Sequence, residues 1–258
     1  MKTFRHRIWS KLMAGIATAV GLCIAAAAYA MSVTPILLDL KPSGRQASGQ
    51  IRVVNTTQGT LPVELKAKIA TVDREGRVTT SEDDVDDLLM FPAQALIAPG
   101  ATQVFRVQWI GEPDIDNSKT FMVSVAQQPV TMPAGTSGIQ LLYDFQVVVN
   151  VAPMTGEPRL EVSGAELVTD GEGARRVALT MSNDSNVHGY LSGASLRLEL
   201  RDDRGGRVWS QTYSPDDLRA RVGMGLLQPG ATRRFMLPFD LPTEGTTITA
   251  EVSYAGRR

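Results

Sequence analysis

Residues 138–153 read G-I-Q-L-L-Y-D-F-Q-V-V-V-N-V-A-P, and this stretch decides the fold. Every second residue is apolar from Ile139 to Val151, and more than half of the residues between them are polar. A period of two, with β-branched and aromatic residues, predicts a β-strand that buries one face.

The predicted strand is unusually long. Strands in globular domains usually contain about 3–10 residues, whereas a run of about 13 extends over roughly 43 Å at ~3.3 Å per residue. A sandwich domain of immunoglobulin size does not easily cover such a long apolar face, so we expect part of it to be offered to another chain. The alternative is two strands that meet at a bulge and are both covered internally.

The first thirty residues are predicted to be a secretory signal peptide. A basic segment precedes the apolar, alanine-rich run 12–28, and Ala28-Tyr29-Ala30 forms an A-x-A cleavage pattern. We therefore expect the mature chain to begin near Met31. A retained membrane anchor is a weaker alternative because the apolar run is short and rich in Ala and Gly. A lipid anchor on Cys23 is also weaker, because Leu22 precedes it where a small residue is needed.

The net charge and the cysteine content of the chain limit the classes of function it can have. The chain has 26 basic and 27 acidic residues, and the first thirty hold 4 of the basic ones, which leaves 22 against 27 and a side-chain net charge of −5. That balance does not fit nucleic-acid binding. The only cysteine is Cys23, so the mature chain has to be held together by core burial, as one domain or as two of about 110 residues.

From Met31 onwards, short predicted strands alternate with turns. In the first half they cover residues 33–40, 49–55, 62–72, 88–97, 102–109, 120–127 and the long strand. About seven strands in about 120 residues predict an immunoglobulin-like β-sandwich. Residues 154–158 read as a linker, and the pattern then begins again. In the second half the predicted strands cover residues 159–167, 176–182, 194–200, 208–213, 232–237 and 246–253.

A P-G-A-T turn occurs once in each half, at Pro99 and at Pro229, although common turn chemistry alone explains so short a repeat. No window has a helical period. The sequence therefore predicts an all-β chain with two immunoglobulin-like β-sandwich domains in tandem, assigned to residues 31–153 and 154–258, after a signal peptide at residues 1–30.

Residues that carry catalytic chemistry are scarce. His188 is the only histidine after the signal peptide, and we interpret it as a surface residue. The sequence contains no H-E-x-x-H, no glycine-rich phosphate loop and no G-x-S-x-G. The acidic run 82–87 lacks the ligand spacing of a calcium loop. We therefore predict no enzymatic activity, no metal, no cofactor and no small-molecule substrate; a hydrolase built on His188 is the weakest alternative.

Three segments carry a family resemblance. They are I-R-V-V-N at residues 51–55, F-P-A-Q-A-L-I-A-P-G-A-T-Q-V-F-R-V at residues 91–107, and V-V-V-N-V-A-P at residues 147–153. In this order and spacing the chain resembles the PapD-like periplasmic chaperones of the chaperone–usher pathway, which assemble pili. The second sandwich after Pro153 matches the family's boomerang of two immunoglobulin-like domains.

The resemblance implies a function. In this family the strand that closes the first domain lends alternating apolar side chains to a pilin subunit that lacks its own last strand. The matching donor side chains here are Ile139, Leu141, Tyr143 and Phe145. The implied partners are pilin-like subunits and an outer-membrane usher, and the implied location is the periplasm. Arg106 matches the arginine of the family's Q-x-x-R pattern and is expected to be structural, as is Pro153. The alternative is an exported two-domain structural or adhesive surface component.

One departure from the family concerns a pair of basic positions. The family places an Arg in the first strand and a Lys late in the closing strand, which together hold the subunit's terminal carboxylate. The matching positions here are Ile36 and Val148. A shifted alignment, other donors for the carboxylate, or a divergent subunit would each account for this difference.

Overall fold

The computed structural model describes residues 31–83, 85–130 and 140–254. These residues form two β-sandwiches, each with its own hydrophobic core. The predicted all-β fold class is confirmed. The predicted signal peptide and the candidate donor residue Ile139 lie outside the described residues.

The first sandwich consists of two sheets. The described residues of this sandwich contain ten strands: β1 (Met31–Thr34), β2 (Leu37–Leu40), β3 (Ser48–Asn55), β4 (Leu61–Val72), β5 (Val78–Thr80), β6 (Leu88–Phe91), β7 (Gln94–Ile97), β8 (Thr102–Trp109), β9 (Lys119–Gln127) and β10 (Asp144–Val151). One sheet has the order β1-β3-β8-β6. The other has the order β2-β10-β9-β4-β5, and β7 also pairs with β4.

The core of this sandwich lies between the two sheets. Ile51 and Phe105 of the first sheet pack with Val123 and Val149 of the second, and all four are fully buried. Val147 and Val151 are also fully buried, on the same face of β10 as Val149. The alternation that predicted a buried face on this strand is thus confirmed for its second half.

Two predicted strands are each divided at a proline. Residues 33–40 form β1 and β2 on either side of Pro35, and residues 88–97 form β6 and β7 on either side of Pro92. The two parts lie in different sheets: β1 pairs with β3, whereas β2 pairs with β10. Proline has no backbone N–H to donate to a ladder, so it marks a point where a strand can leave one sheet and enter the other.

The second sandwich has smaller sheets. Its strands are β11 (Leu160–Thr169), β12 (Arg175–Asn183), β13 (Gly189–Tyr190), β14 (Ala194–Arg201), β15 (Arg207–Tyr213), β16 (Leu226–Leu227), β17 (Thr232–Leu237) and β18 (Thr247–Tyr254). They pair in the orders β11-β12-β17, β13-β16 and β15-β14-β18. Leu179, Leu198 and Phe235 lie in the core between them.

One short helix, α1 (Pro215–Arg221), was not predicted. Its start carries clear signals, because Ser214 and Asp217 form a reciprocal capping box and Pro215 occupies the first turn. With only seven residues, the helix is too short to produce a helical period in the sequence. It covers the second core with the buried side chain of Leu218.

A buried asparagine, Asn55, is hydrogen-bonded to the first P-G-A-T turn and to the strand before it. Asn55 ends β3, and its Nδ2 donates to the carbonyl of Ile97 at 2.8 Å. Thr57 donates to Asn55 Oδ1 through both its N–H and its hydroxyl. The backbone carbonyl of Asn55 accepts the N–H of Gly100 in the turn.

The second P-G-A-T turn repeats this arrangement. Asn183 ends β12, its Nδ2 donates to the carbonyl of Leu227, and its Oδ1 accepts the N–H and hydroxyl of Ser185. Its backbone carbonyl accepts the N–H of Gly230. The repeat in the sequence therefore reflects a shared local structure in which one amide side chain satisfies several buried backbone groups.

Candidate functional site

The strand β10 is covered unequally on its two sides. Antiparallel β9 pairs with all of its eight residues, from Asp144 to Val151. Parallel β2 pairs only with the second half, from Val148 to Val151. Among the strands that the structure describes, the first half of β10 therefore has a partner on one side only.

The backbone hydrogen bonds show which groups face the uncovered side. The carbonyl of Tyr143 accepts the N–H of Gln127 at 2.8 Å. In this register the backbone N–H and C=O groups of the odd-numbered residues of β10 face β9. The N–H of Val148 donates to the carbonyl of Ile36 at 3.0 Å. The backbone N–H and C=O groups of the even-numbered residues therefore face β2.

We call the β2-facing side of residues 144–147 the open edge. The backbone N–H and C=O groups of Asp144 and Gln146 lie on it, and no strand in the described part of the chain pairs with them. The open edge exists because the chain changes sheets at Pro35. Before this proline, β1 lies in the opposite sheet, and β2 reaches β10 only at Val148.

The side chains predicted to donate to a partner lie at the start of β10 and before it. Leu141 is 66% exposed, and Tyr143 and Phe145 are half-buried against the first core. Ile139 lies outside the described residues. Leu142, which was not among the predicted donor residues, is 43% exposed beside them.

The strand is shorter than its alternating pattern predicts. It begins at Asp144, whereas the pattern begins at Ile139. The reason is the length of its neighbour: β9 ends at Gln127, which lies opposite Tyr143, so no described strand of this sheet lies beside residues 140–142. The alternating pattern describes side chains and carries no information on where the neighbouring strand ends.

The remaining predicted residues have the following places. Arg106 is exposed on β8, opposite Gln50 and Phe91, and its Nη2 lies 3.4 Å from Ser48 Oγ. Pro153 is buried after β10, and its carbonyl accepts a hydrogen bond from Lys41 Nζ at 2.6 Å.

Ile36 and Val148, which the resemblance aligns with a basic pair, are neighbours joined by a backbone hydrogen bond. Ile36 is 63% exposed. The point where β2 meets the open edge therefore presents apolar side chains.

A group of polar side chains joins the two sandwiches next to β2 and β10. Asp39 of β2 accepts a hydrogen bond on Oδ1 from Tyr190 Oη at 2.6 Å, and His188 Nε2 lies 3.0 Å from the same oxygen. Asn150 of β10 donates through Nδ2 to Tyr190 Oη at 2.7 Å. Ser118 Oγ accepts the backbone N–H of His188 and lies 3.0 Å from its Nδ1. We call Asp39, Asn150, His188 and Tyr190 the junction cluster.

The interpretation of His188 as a surface residue was wrong. Its side chain is buried, and its ring packs edge-on against Tyr190 with centroids 5.4 Å apart. The residue lies in a loop of the second sandwich, but this loop packs against Ser118 and Asp39 of the first. Asp39 precedes His188 by 149 positions, so no local pattern indicates the contact.

Electrostatics set the charge states of Asp39 and Tyr190 in the junction cluster. Burial acts to raise the pKa of the Asp39 carboxyl, but the hydrogen bonds from His188 and Tyr190 outweigh it and hold that pKa below its ordinary value of 3.8. Burial, followed by the charge of Asp39, raises the pKa of Tyr190 far above its ordinary value. Asp39 is therefore a carboxylate at neutral pH, and Tyr190 is a hydrogen-bond donor.

The second sandwich also contacts the opposite margin of the sheet that contains β2 and β10, near β4 and β5. Gln228 accepts the N–H of Val72 on Oε1 and donates through Nε2 to the carbonyl of Ala70, both at 2.9 Å. The N–H of Arg234 donates to the carbonyl of Arg74 at 2.7 Å. The junction is thus hydrogen-bonded at β2 and β10 on one margin and next to β5 on the other.

Other kinds of site find little support. Within residues 31–83, 85–130 and 140–254 no three His, Cys, Asp or Glu side chains are grouped so that they could hold a metal ion. Over the same residues, no helix has the length and apolar character needed to cross a membrane.

Comparison with known proteins identifies the fold. No protein-family profile matches the sequence, and no curated protein matches it significantly. Among solved structures, the class 5 fimbriae chaperone CfaA is similar over 89% of this chain and 94% of its own, with a TM-score of 0.51 and 14% sequence identity. The YadV chaperone is similar over 86% of this chain and 91% of its own, with a TM-score of 0.50 and 13% identity. The fold is therefore that of the two-domain pilus chaperones, as the resemblance implied.

Proposed function

We propose that this protein is a periplasmic chaperone that binds pilin-like subunits by strand addition at the open edge of β10 and delivers them to an outer-membrane usher. The observation that carries the proposal is the open edge itself. It combines backbone groups at Asp144 and Gln146 that pair with no other described strand on this side with apolar side chains at Leu141, Tyr143 and Phe145.

The shared fold supports this function. CfaA and YadV are chaperones by name, and the similarity extends over most of both chains. A strand that pairs with an open edge gains affinity from main-chain hydrogen bonds and specificity from alternate side chains. The role requires no catalytic group, in agreement with the scarcity of catalytic motifs in the sequence.

The free energies of side-chain burial and of association are consistent with a reversible complex. Burial of the four donor side chains gains roughly 6–12 kcal/mol at about 1.5–3 kcal/mol each. Association costs about 4–15 kcal/mol in lost freedom. Main-chain hydrogen bonds along the open edge are therefore needed for a stable complex, and the modest margin suits a holder that later releases its subunit.

A matched pair of substitutions tests the proposal. Leu141→Glu places a charge on the exposed donor segment, whereas Leu96→Glu places one at a leucine of β7 that is 76% exposed. Each tagged variant is used to capture partners from periplasmic extracts of cells that make the protein, and the captured proteins are identified by mass spectrometry.

We expect the wild type and Leu96→Glu to capture subunits with an incomplete immunoglobulin fold. Leu141→Glu is expected to lose at least about tenfold of this capture, because a buried leucine contributes about 1.5–3 kcal/mol. Its melting temperature should stay close to that of the wild type, because the side chain is exposed. Equal capture by both variants would contradict the proposal.

The alternative function, a structural or adhesive surface component, predicts a different distribution in the cell. A chaperone forms a soluble periplasmic pool, whereas a surface component is recovered in polymers or with the outer membrane. Fractionation of cells that make the untagged protein separates these two outcomes.

A further inference from the structure

The junction cluster touches the same strands that form and limit the open edge. Asp39 lies on β2 and Asn150 on β10, and the two residues are opposite each other in the parallel register. Tyr190 and His188 of the second sandwich both reach Asp39 Oδ1, and Tyr190 also reaches Asn150. The second sandwich therefore contacts the covered half of β10 directly.

The strand β2 has few other attachments. It contains four residues, lies at the margin of its sheet, and pairs with no strand but β10 among the described residues. On its inner face Leu40 is buried and Leu38 is half-buried against the core. On its outer face, Asp39 is the residue that bonds to the second sandwich. A strand this short has little ladder energy of its own and is prone to local opening.

The end of the open edge depends on the place where β2 begins. The carbonyl of Ile36 takes the N–H of Val148, and the carbonyl of Leu40 takes the N–H of Ala152. If β2 separated from β10, the even-numbered backbone groups of residues 148–151 would become free as well. The open edge would then extend along the whole strand.

We propose that Asp39, His188 and Tyr190 are positioning residues that hold β2 on β10 and so set the length of the open edge. The second sandwich thereby limits the partner strand to the first half of β10. The meaning of this limit for subunit binding rests on the proposed function, whereas the positioning itself is a property of the free protein.

Amide hydrogen exchange of the free protein, resolved residue by residue by NMR, tests the inference. The variant is Tyr190→Phe, which removes the hydroxyl that joins Asp39 to Asn150 with little change in shape. We expect exchange at Val148 and Ala152, whose N–H groups face β2, to become at least about tenfold faster, in line with the loss of a hydrogen bond to a charged group. Exchange at Val147 and Val149, which face β9, should stay unchanged.

Two further variants show whether the effect is specific. His188→Ala should produce the same pattern, and His188→Gln, which keeps an N–H donor towards Asp39, should restore slow exchange at Val148. Gln228→Ala removes the junction bonds at the opposite margin, to Ala70 and Val72, and should leave Val148 as in the wild type.

Three results of these exchange measurements would overturn the inference. Unchanged exchange at Val148 in both Tyr190→Phe and His188→Ala means that β2 is held by its own contacts. An equal increase at Val147 and Val149 means general destabilisation, and an increase in Gln228→Ala means that any loosening of the junction is sufficient. None of these results depends on a partner, so the failure of this inference is distinguishable from failure of subunit capture by the wild type.

Discussion

At the residue scale, Asp39 shows how one carboxylate connects distant parts of the chain. Its Oδ1 is shared by Tyr190 and His188 of the second sandwich, and Asn150 Nδ2 lies 3.4 Å away. Hydrogen bonds to a charged group contribute about 1.5–3 kcal/mol each, more than those between neutral groups. The ionised carboxylate is therefore worth more to the junction than its amide counterpart would be.

The charge of Asp39 predicts a pH-dependent contribution to stability. Because its pKa is lower in the folded protein than the ordinary value of 3.8, its contribution is present above pH 3.8 and is lost as the pH falls through the folded pKa. Asp39→Asn should cost about 1 kcal/mol in the free energy of unfolding at neutral pH, because the Asp39 side chain is 49% exposed and solvent screens part of the interaction. Urea unfolding at a series of pH values should show the difference from the wild type shrinking below pH 3.8. A difference that is constant with pH would contradict this account.

At the element scale, β10 has two backbone edges with different roles. The N–H of Val147 faces β9 within the ladder, whereas the N–H of Gln146 faces the open edge. A proline removes one N–H and is tolerated at a strand margin but not inside a sheet. Adjacent residues of one strand should therefore respond very differently to proline.

Proline scanning of β10 tests this difference. Gln146→Pro should lower the free energy of unfolding only modestly, yet it should abolish subunit capture because it removes a donor from the open edge. Val147→Pro should destabilise the first sandwich by about 3 kcal/mol or more, since it breaks a ladder bond. Denaturant unfolding and capture assays measure the two effects. Similar loss of stability in both variants would mean that the edge at Gln146 is covered.

At the scale of the whole molecule, the second sandwich holds both margins of one sheet. Tyr190 and His188 contact β2 and β10, whereas Gln228 and Arg234 contact β4 and the turn after it. Between these margins, the carbonyl of Asn186 accepts the N–H of Ser118, and Asn186 Nδ2 donates to the carbonyl of Asp116. Several separated sets of hydrogen bonds restrict rotation of one sandwich against the other more than a single contact would. The relative orientation of the sandwiches should therefore loosen more when bonds are lost at both margins than when they are lost at one.

Distance measurements between spin labels test this prediction. Residues 31–258 contain no cysteine, so cysteines introduced at the exposed positions Arg52 and Thr212 are labelled selectively. We expect a narrow distance distribution in the parent protein, Tyr190→Phe and Gln228→Ala, and a clearly broader one in the double variant. A distribution as broad in either single variant would show that one margin alone fixes the orientation.

The sequence predicts the sandwiches well because the signals for strands are local. The alternation at Val147, Val149 and Val151 gave the buried face of β10, and the two P-G-A-T turns marked equivalent places in the two halves. Local signals do not show which sheet a strand joins, so the division of the first strand at Pro35 was missed. The open edge depends on that division.

The junction cluster could not be predicted for a related reason. Asp39 and His188 are 149 positions apart, and each stands in a stretch that reads as an ordinary strand or loop. The pairing depends on how the two sandwiches pack, which the order of apolar residues does not specify. The neighbouring apolar pair Ile36 and Val148 could be aligned with the family, but its position at the end of the open edge appears only in the fold.

The most direct test of the central claim is hydrogen exchange of the amides of Asp144 and Gln146 with and without a captured subunit. The account predicts fast exchange in the free protein and strong protection in the complex, because these N–H groups become part of a ladder with the subunit's strand. Val147, which already pairs with β9, should be protected in both states. A stable complex in which Asp144 and Gln146 exchange as fast as in the free protein would contradict strand addition at the open edge.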